Sequence, residues 1–289
     1  MVRLQVDSVT ILTTHRLEAL GRRLGAIAAG SPEWYGLGRV PLGALVVLVA
    51  PDRDTFQHWS RGRLPSWGAG MALPQSGLVL IRADDGDPVL TLRHELAHIA
   101  LHRRVRSRVP LWFDEGYAVL AAEEYGGLAA LQLNIAVASG RVPTLSALDA
   151  ALRGSEGDAT AAYALAASAV AELARRHPSR RLDPLLTRLS AGGSFDAAVL
   201  ATTGLTADRF AESWHLATRR RYNWGIWFAT GGVWVVVALT LGWAAAWRRR
   251  QDAPRREALN AGWSLPPDDE PITTEPIPPI RLDRPDSGG

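Results

Sequence analysis

His94, Glu95, Leu96, Ala97 and His98 form a His-Glu-x-x-His run, and its spacing points to metal chemistry. On a helix, positions i and i+4 lie one above the other, so two imidazoles so placed can grip one ion. Glu95 then faces the adjoining sector, where a carboxylate can take a proton from water. Zinc suits such a pair, and a catalytic zinc needs a third protein ligand and one open position. The rival reading of the five residues alone is a helix with two unrelated, partly exposed histidines.

These side chains need a helix held between layers. Asp84, Asp85 and Gly86 read as a turn, Asp87 as an N-cap and Pro88 as a first-turn proline, which predicts a helix over 88–102. Val89, Leu92, Leu96 and Ile99 fall on one face of it, with His94 and His98 roughly opposite. His102 continues the i+4 series, but it lies about 12 Å along the axis from His94, too far to share an ion. It reads as a helix-end residue or an outer partner. Asp114 is placed to orient His94 or His98 through the second ring nitrogen. Upstream, residues 1–13 alternate like a strand, and 16–29 read as an amphipathic helix rather than the apolar core of a signal peptide. Residues 42–50 read as a buried strand, and 77–81 form a second short apolar run.

Trp112-x-x-Glu115-Gly116-x-Ala118, shortly after the His-Glu-x-x-His run, resembles the second-helix signature of gluzincin peptidases. That group includes the aminopeptidase N family and smaller bacterial peptidase MA-like domains. The resemblance implies Glu115 as third zinc ligand beside His94 and His98, Glu95 as catalytic base, and a peptide or protein as substrate. It also implies an oxyanion-stabilising hydroxyl or imidazole from the helical half, with Tyr163 the first candidate and Tyr117 the second. At lower specificity it extends over most of residues 1–222. One departure bears on substrate. Aminopeptidase N relatives carry a Gly-x-Met-Glu-Asn stretch whose Glu holds the free amine. Here Gly68, Ala69, Gly70, Met71, Ala72 and Leu73 stand in that region, so Ala72 removes the anchor and favours an endopeptidase. Residues 77–81 would then be the edge strand that takes an extended peptide.

The expected fold is α+β: a small N-terminal sheet with helices, the two zinc helices, a helical C-terminal half, then one transmembrane helix. The 289 residues suffice for one sizeable domain with appendages, and the 47% hydrophobic content for a real core. The absence of Cys excludes disulfides and thiolate metal sites. All basic residues are Arg, in small local clusters, and the net charge of +3 is modest, so nucleic-acid binding is not expected. The predicted organisation is a metallopeptidase domain over 1–218, a basic linker over 219–223, a transmembrane helix over 224–247 and a disordered tail over 248–289. Residues 224–247 are uncharged, with Trp224, Trp227, Trp243 and Trp247 near the ends. As a helix they would rise about 36 Å, more than the ~30 Å of a hydrocarbon core. Family resemblance puts the peptidase domain outside the cytoplasm. The other functional class is a membrane-anchored, zinc-containing module that binds a partner without turnover.

Overall fold

The first thirteen residues form a hairpin rather than a single strand. β1 (Val2–Val6) and β2 (Val9–Thr13) pair antiparallel. Asp7 turns the chain at φ 48°, a left-handed conformation that Asp adopts more readily than most non-glycine residues. The computed structural model describes residues 1–30, 32–62, 65, 67–123, 142–227 and 233–261. The chain divides into two units, Met1–Ala229 and Thr230–Gly289.

In the first unit, β5 (Leu45–Ala50), β7 (Leu78–Arg82) and β6 (Gly70–Leu73) complete a five-stranded sheet in the order β1-β2-β5-β7-β6. The pairs β2–β5 and β5–β7 are parallel, and β6–β7 is antiparallel. A two-stranded ribbon, β3 (Glu33–Trp34) and β4 (Gly38–Arg39), stands apart from this sheet. Successive strand residues face opposite sides. Val47 and Val49 accordingly join the main core, while Ala50 and the partly buried Leu48 pack with Phe56 of α2 (Arg53–Ser60). Helices α1 (Glu18–Ala29) and α3 (Pro88–Arg104) pack on the sheet, α3 against its β6–β7 end.

The expected edge strand is displaced by one position. Residues 77–81 fall mostly in β7, which lies between β5 and β6, so β6 holds the edge. The cause is the short turn after Leu73, which folds 70–73 back antiparallel onto β7.

The helical half begins with α4 (Leu111–Ala121) and continues with α5 (Leu145–Ala151) and α6 (Glu156–Arg176). It ends with α7 (Asp183–Ser190), α8 (Phe195–Thr203) and α9 (Ala207–Trp227). Thr144, Ser155 and Ser194 cap α5, α6 and α8 with their side-chain oxygens. Alanine-rich α6 lies along α4 so closely that a Cβ on Gly116 would sit 2.5 Å from the Ala166 carbonyl carbon. Trp112, Phe113 and Phe195 pack edge to face beside this contact, with centroids 5.1 to 5.9 Å apart. The α+β expectation, with sheet first and helices after, agrees with this architecture.

The described part of the second unit is α10 (Val233–Ala261). The expected span over 224–247 is not one helix among the described residues. It covers the end of α9, residues 228–232, which lie outside the description, and the first half of α10. No described helix is long and apolar enough to cross a membrane. The uncharged start of α10, residues 233–247, would rise about 22 Å, short of the ~30 Å needed. Helix α10 also continues to Ala261, into the stretch expected to be tail; residues 262–289 lie outside the description.

Candidate metal centre

Helix α3 starts where the sequence places its start. The Asp87 carboxylate accepts a hydrogen bond from the Val89 amide at 2.8 Å, and Pro88 occupies the first turn. Leu92, Leu96 and Ile99 are fully buried in the main core. Each such side chain contributes about 1.5–3 kcal/mol of burial, so the rotational phase of the helix is fixed. His94 and His98 are thereby carried off the core face, with side chains 13% exposed.

Helix α4 delivers the acidic partners. Its Trp112 amide donates to the Asp149 carboxylate at 2.9 Å, which satisfies one of the orphan donors of its first turn. One turn on, Oε2 of Glu115 lies 3.4 Å from Nε2 of His94 and 3.4 Å from Nε2 of His98. The two Nε2 atoms are 3.2 Å apart. A tetrahedral ion with bonds of about 2.1 Å separates neighbouring donors by about 3.4 Å. The triangle therefore has the size of one face of such a coordination sphere. Two imidazoles and a carboxylate are also a donor set that hydrolytic zinc takes, leaving a fourth position for substrate or water.

The electrostatics suit a cation. Burial alone would raise the Glu115 carboxyl, but the His98 and His94 imidazoles more than offset it and hold it at about 2. Burial likewise opposes ionisation of Asp114, yet His102 and His98 hold its carboxyl well below the usual carboxylate range. Burial would lower His98, but Glu115 and Asp114 together raise it well above its ordinary value. A divalent cation answers the same field.

The Asp114 carboxylate binds two histidines. Its Oδ1 meets Nδ1 of His98 at 2.8 Å and its Oδ2 meets Nε2 of His102 at 2.6 Å. Of the two ligand histidines that Asp114 was expected to serve, it reaches His98.

The centre opens into a cleft of about 880 Å³. His94, Glu95 and Glu115 line it, with residues 68–70 on the strand side and Tyr163 of α6 on the helical side. Glu95 is 7% exposed. Gly70, at the start of β6, allows this arrangement. A Cβ there would run into the Glu95 carboxylate and would lie 2.8 Å from Thr91 Cγ2. The sequence carried one sign of this wall, the small residues Gly68, Ala69 and Gly70 before Met71. Arg153, also in the lining, had no signal at all. The Tyr163 ring stands edge-on to the His94 ring at 6.0 Å. Tyr117 does not join the centre. Its side chain is fully buried, its hydroxyl has no hydrogen-bond partner among the described residues, and burial pushes its pKa up. It was the second candidate for the oxyanion, and its place on the core side of α4 removes it.

Residues 63–219 match a protein family described as the Peptidase MA superfamily, a match over just more than half of the chain. It takes in α3, α4, α6 and the cleft between them. No curated protein matches the chain.

Proposed function

Because the chain belongs to the Peptidase MA superfamily, with a peptidase-like function and peptides or proteins as its substrate class, we propose that it is a zinc-dependent peptidase cutting within polypeptides. His94, His98 and Glu115 would hold the zinc. The observation that carries this reading is the donor triangle, with sides of 3.2, 3.4 and 3.4 Å. When bound, zinc supplies Lewis acidity: it polarises the scissile carbonyl and makes water easier to deprotonate.

The chain's own residues do the rest. Glu95, beside the ligands and largely shielded from solvent, takes the proton from the attacking water and returns it to the leaving amine. Tyr163, across the cleft, donates a hydrogen bond from its hydroxyl to the oxyanion that develops on the carbonyl. Asp114 holds the His98 ring in the orientation that aims Nε2 into the triangle. The outer side of β6, at the sheet edge among the described residues, offers backbone donors and acceptors to an extended substrate, which supports binding by strand addition. Gly70 and Ala72 alternate onto the same face of β6, and Ala72 brings no carboxylate to anchor a free amine. That favours an endopeptidase over an aminopeptidase.

Membrane attachment through residues 224–247, with the peptidase domain outside the cytoplasm, completes the proposal. It is supported by the composition of that segment and by the exposure of Trp234, Leu239, Leu241, Trp243 and Trp247 on α10. Deleting 224–247 should release the protein from the membrane fraction with its metal retained. A deletion variant that still sediments with membranes would remove this part of the reading.

The decisive experiment compares zinc-loaded wild type with Glu95→Gln over a broad peptide library. Gln keeps the shape of the side chain but is no base, so zinc content should be unchanged while hydrolysis falls about 10²–10⁴-fold. Equal hydrolysis by the two proteins would leave a zinc-containing binding module instead.

A further inference from the structure

Helix α3 carries a third histidine one turn beyond His98, and the chemistry above gives it no task. A histidine in the last turn of a helix ordinarily serves the exposed carbonyls or the helix dipole. His102 turns to another helix. Its Nε2 meets Oδ2 of Asp114 at 2.6 Å, while Oδ1 of the same carboxylate meets Nδ1 of His98 at 2.8 Å. The pattern repeats the one a turn earlier, where Glu115 spans His94 and His98. Adjacent acids on α4 thus brace three histidines spaced i, i+4, i+8 on α3.

The double grip has a mechanical consequence. The terminal torsion of Asp is broad and two-fold, so a carboxylate held through one oxygen can still swing. Asp114 is held through both. Exposure falls along the chain of contacts, from 36% for the His102 side chain to 18% for Asp114 and 13% for His98. Without His102, water would reach the outer oxygen of Asp114 and the inner contact would loosen. That inner contact decides which nitrogen of His98 carries the proton, and so whether Nε2 presents its lone pair to the donor triangle.

We infer that His102 is a positioning residue for the metal: by immobilising Asp114 it fixes the tautomer and ring plane of His98, and so sets how tightly the centre holds zinc. The inference rests on the metal-site reading above. His98, His102 and Asp114 also lie close enough to be considered a cation site of their own. That alternative would strip the proton from Nδ1 of His98 while Nε2 is already committed. The hydrogen-bonded relay requires no such loss.

The test uses the full chain, with zinc affinity measured by competition against a chromophoric chelator and ligand geometry read from the visible bands of the cobalt(II)-substituted protein. His102→Ala should weaken zinc on the order of tenfold, the lower end of outer-shell losses, and should shift the cobalt bands. His102→Gln, whose amide nitrogen can stand near the place of Nε2, should restore most of both. An affinity for His102→Ala within about twofold of wild type, with unchanged bands, would overturn the inference and leave the metal centre intact. Equal weakening in the Ala and Gln variants would overturn it too, because ring volume and not the donated hydrogen bond would then matter. Two zinc ions in wild type and one in both variants would establish the separate cation site instead. Wild type that takes up neither zinc nor cobalt would bring down the metal-centre reading itself.

Discussion

Two tyrosine hydroxyls one helix apart have opposite relations to their surroundings. Tyr163 lines the cleft beside His94. Tyr163→Phe should lower kcat on the order of 10²–10³-fold with little change in KM, as expected for a donor whose interaction strengthens in the transition state. Steady-state kinetics on any cleaved peptide will check this, and a change confined to KM would assign Tyr163 to substrate binding. Tyr117 is sealed in the core with its hydroxyl unpartnered among the described residues. A buried hydroxyl without a partner costs about 1–3 kcal/mol. Tyr117→Phe removes that cost and preserves the ring, so the denaturant midpoint should stay level or rise, by the equivalent of roughly 1 kcal/mol. A clear drop would reveal a hydrogen bond to the hydroxyl.

Between elements, Gly116 and Gly70 set the spacing of the site. Gly116 brings α4 against the backbone of α6, where a Cβ would lie 2.5 Å from the carbonyl carbon and oxygen of Ala166. Backbone cannot rotate away, so Gly116→Ala should destabilise by about 1–3 kcal/mol or more and, by shifting the adjacent Glu115, weaken metal binding. Thermal melts with metal titration will measure both. Stability within about 0.5 kcal/mol of wild type would mean that the helices separate easily. The sequence disclosed these elements unevenly. Asp87, Pro88 and the buried face of Leu92, Leu96 and Ile99 made α3 readable, because capping and periodicity are local. Glu115 was readable only through its Glu-Gly signature. The strand β6 was not read as an edge, because Gly70, Met71, Ala72 and Leu73 lack the β-branched run that marks a strand. The contact between His102 and Asp114 was hidden for another reason. It depends on how α3 and α4 cross, and no local pattern encodes that angle.

For the molecule as a whole, the proposed ligands come from both halves of the first unit, the histidines on the sheet-packed α3 and the glutamate on the α6-packed α4. A metal bound only by the folded chain stabilises it by about 2.7 kcal/mol at a free concentration of a hundred times its Kd. Chelation should therefore lower Tm, on the order of 5–10 °C for a unit of this size, and zinc should restore it. A melting curve indifferent to chelator would show that the halves hold without the ion. The triangle also has a consequence for time. His94 and Glu115 are 21 residues apart along the chain, bridged by one helical hairpin, whereas Tyr163 arrives 48 residues after Glu115. Short loops close before long ones. Refolding in the presence of cobalt should thus show its visible band early, ahead of the slower burial of Trp112 and Trp214. The ion would be captured first, and the chamber that makes it useful would be built around it.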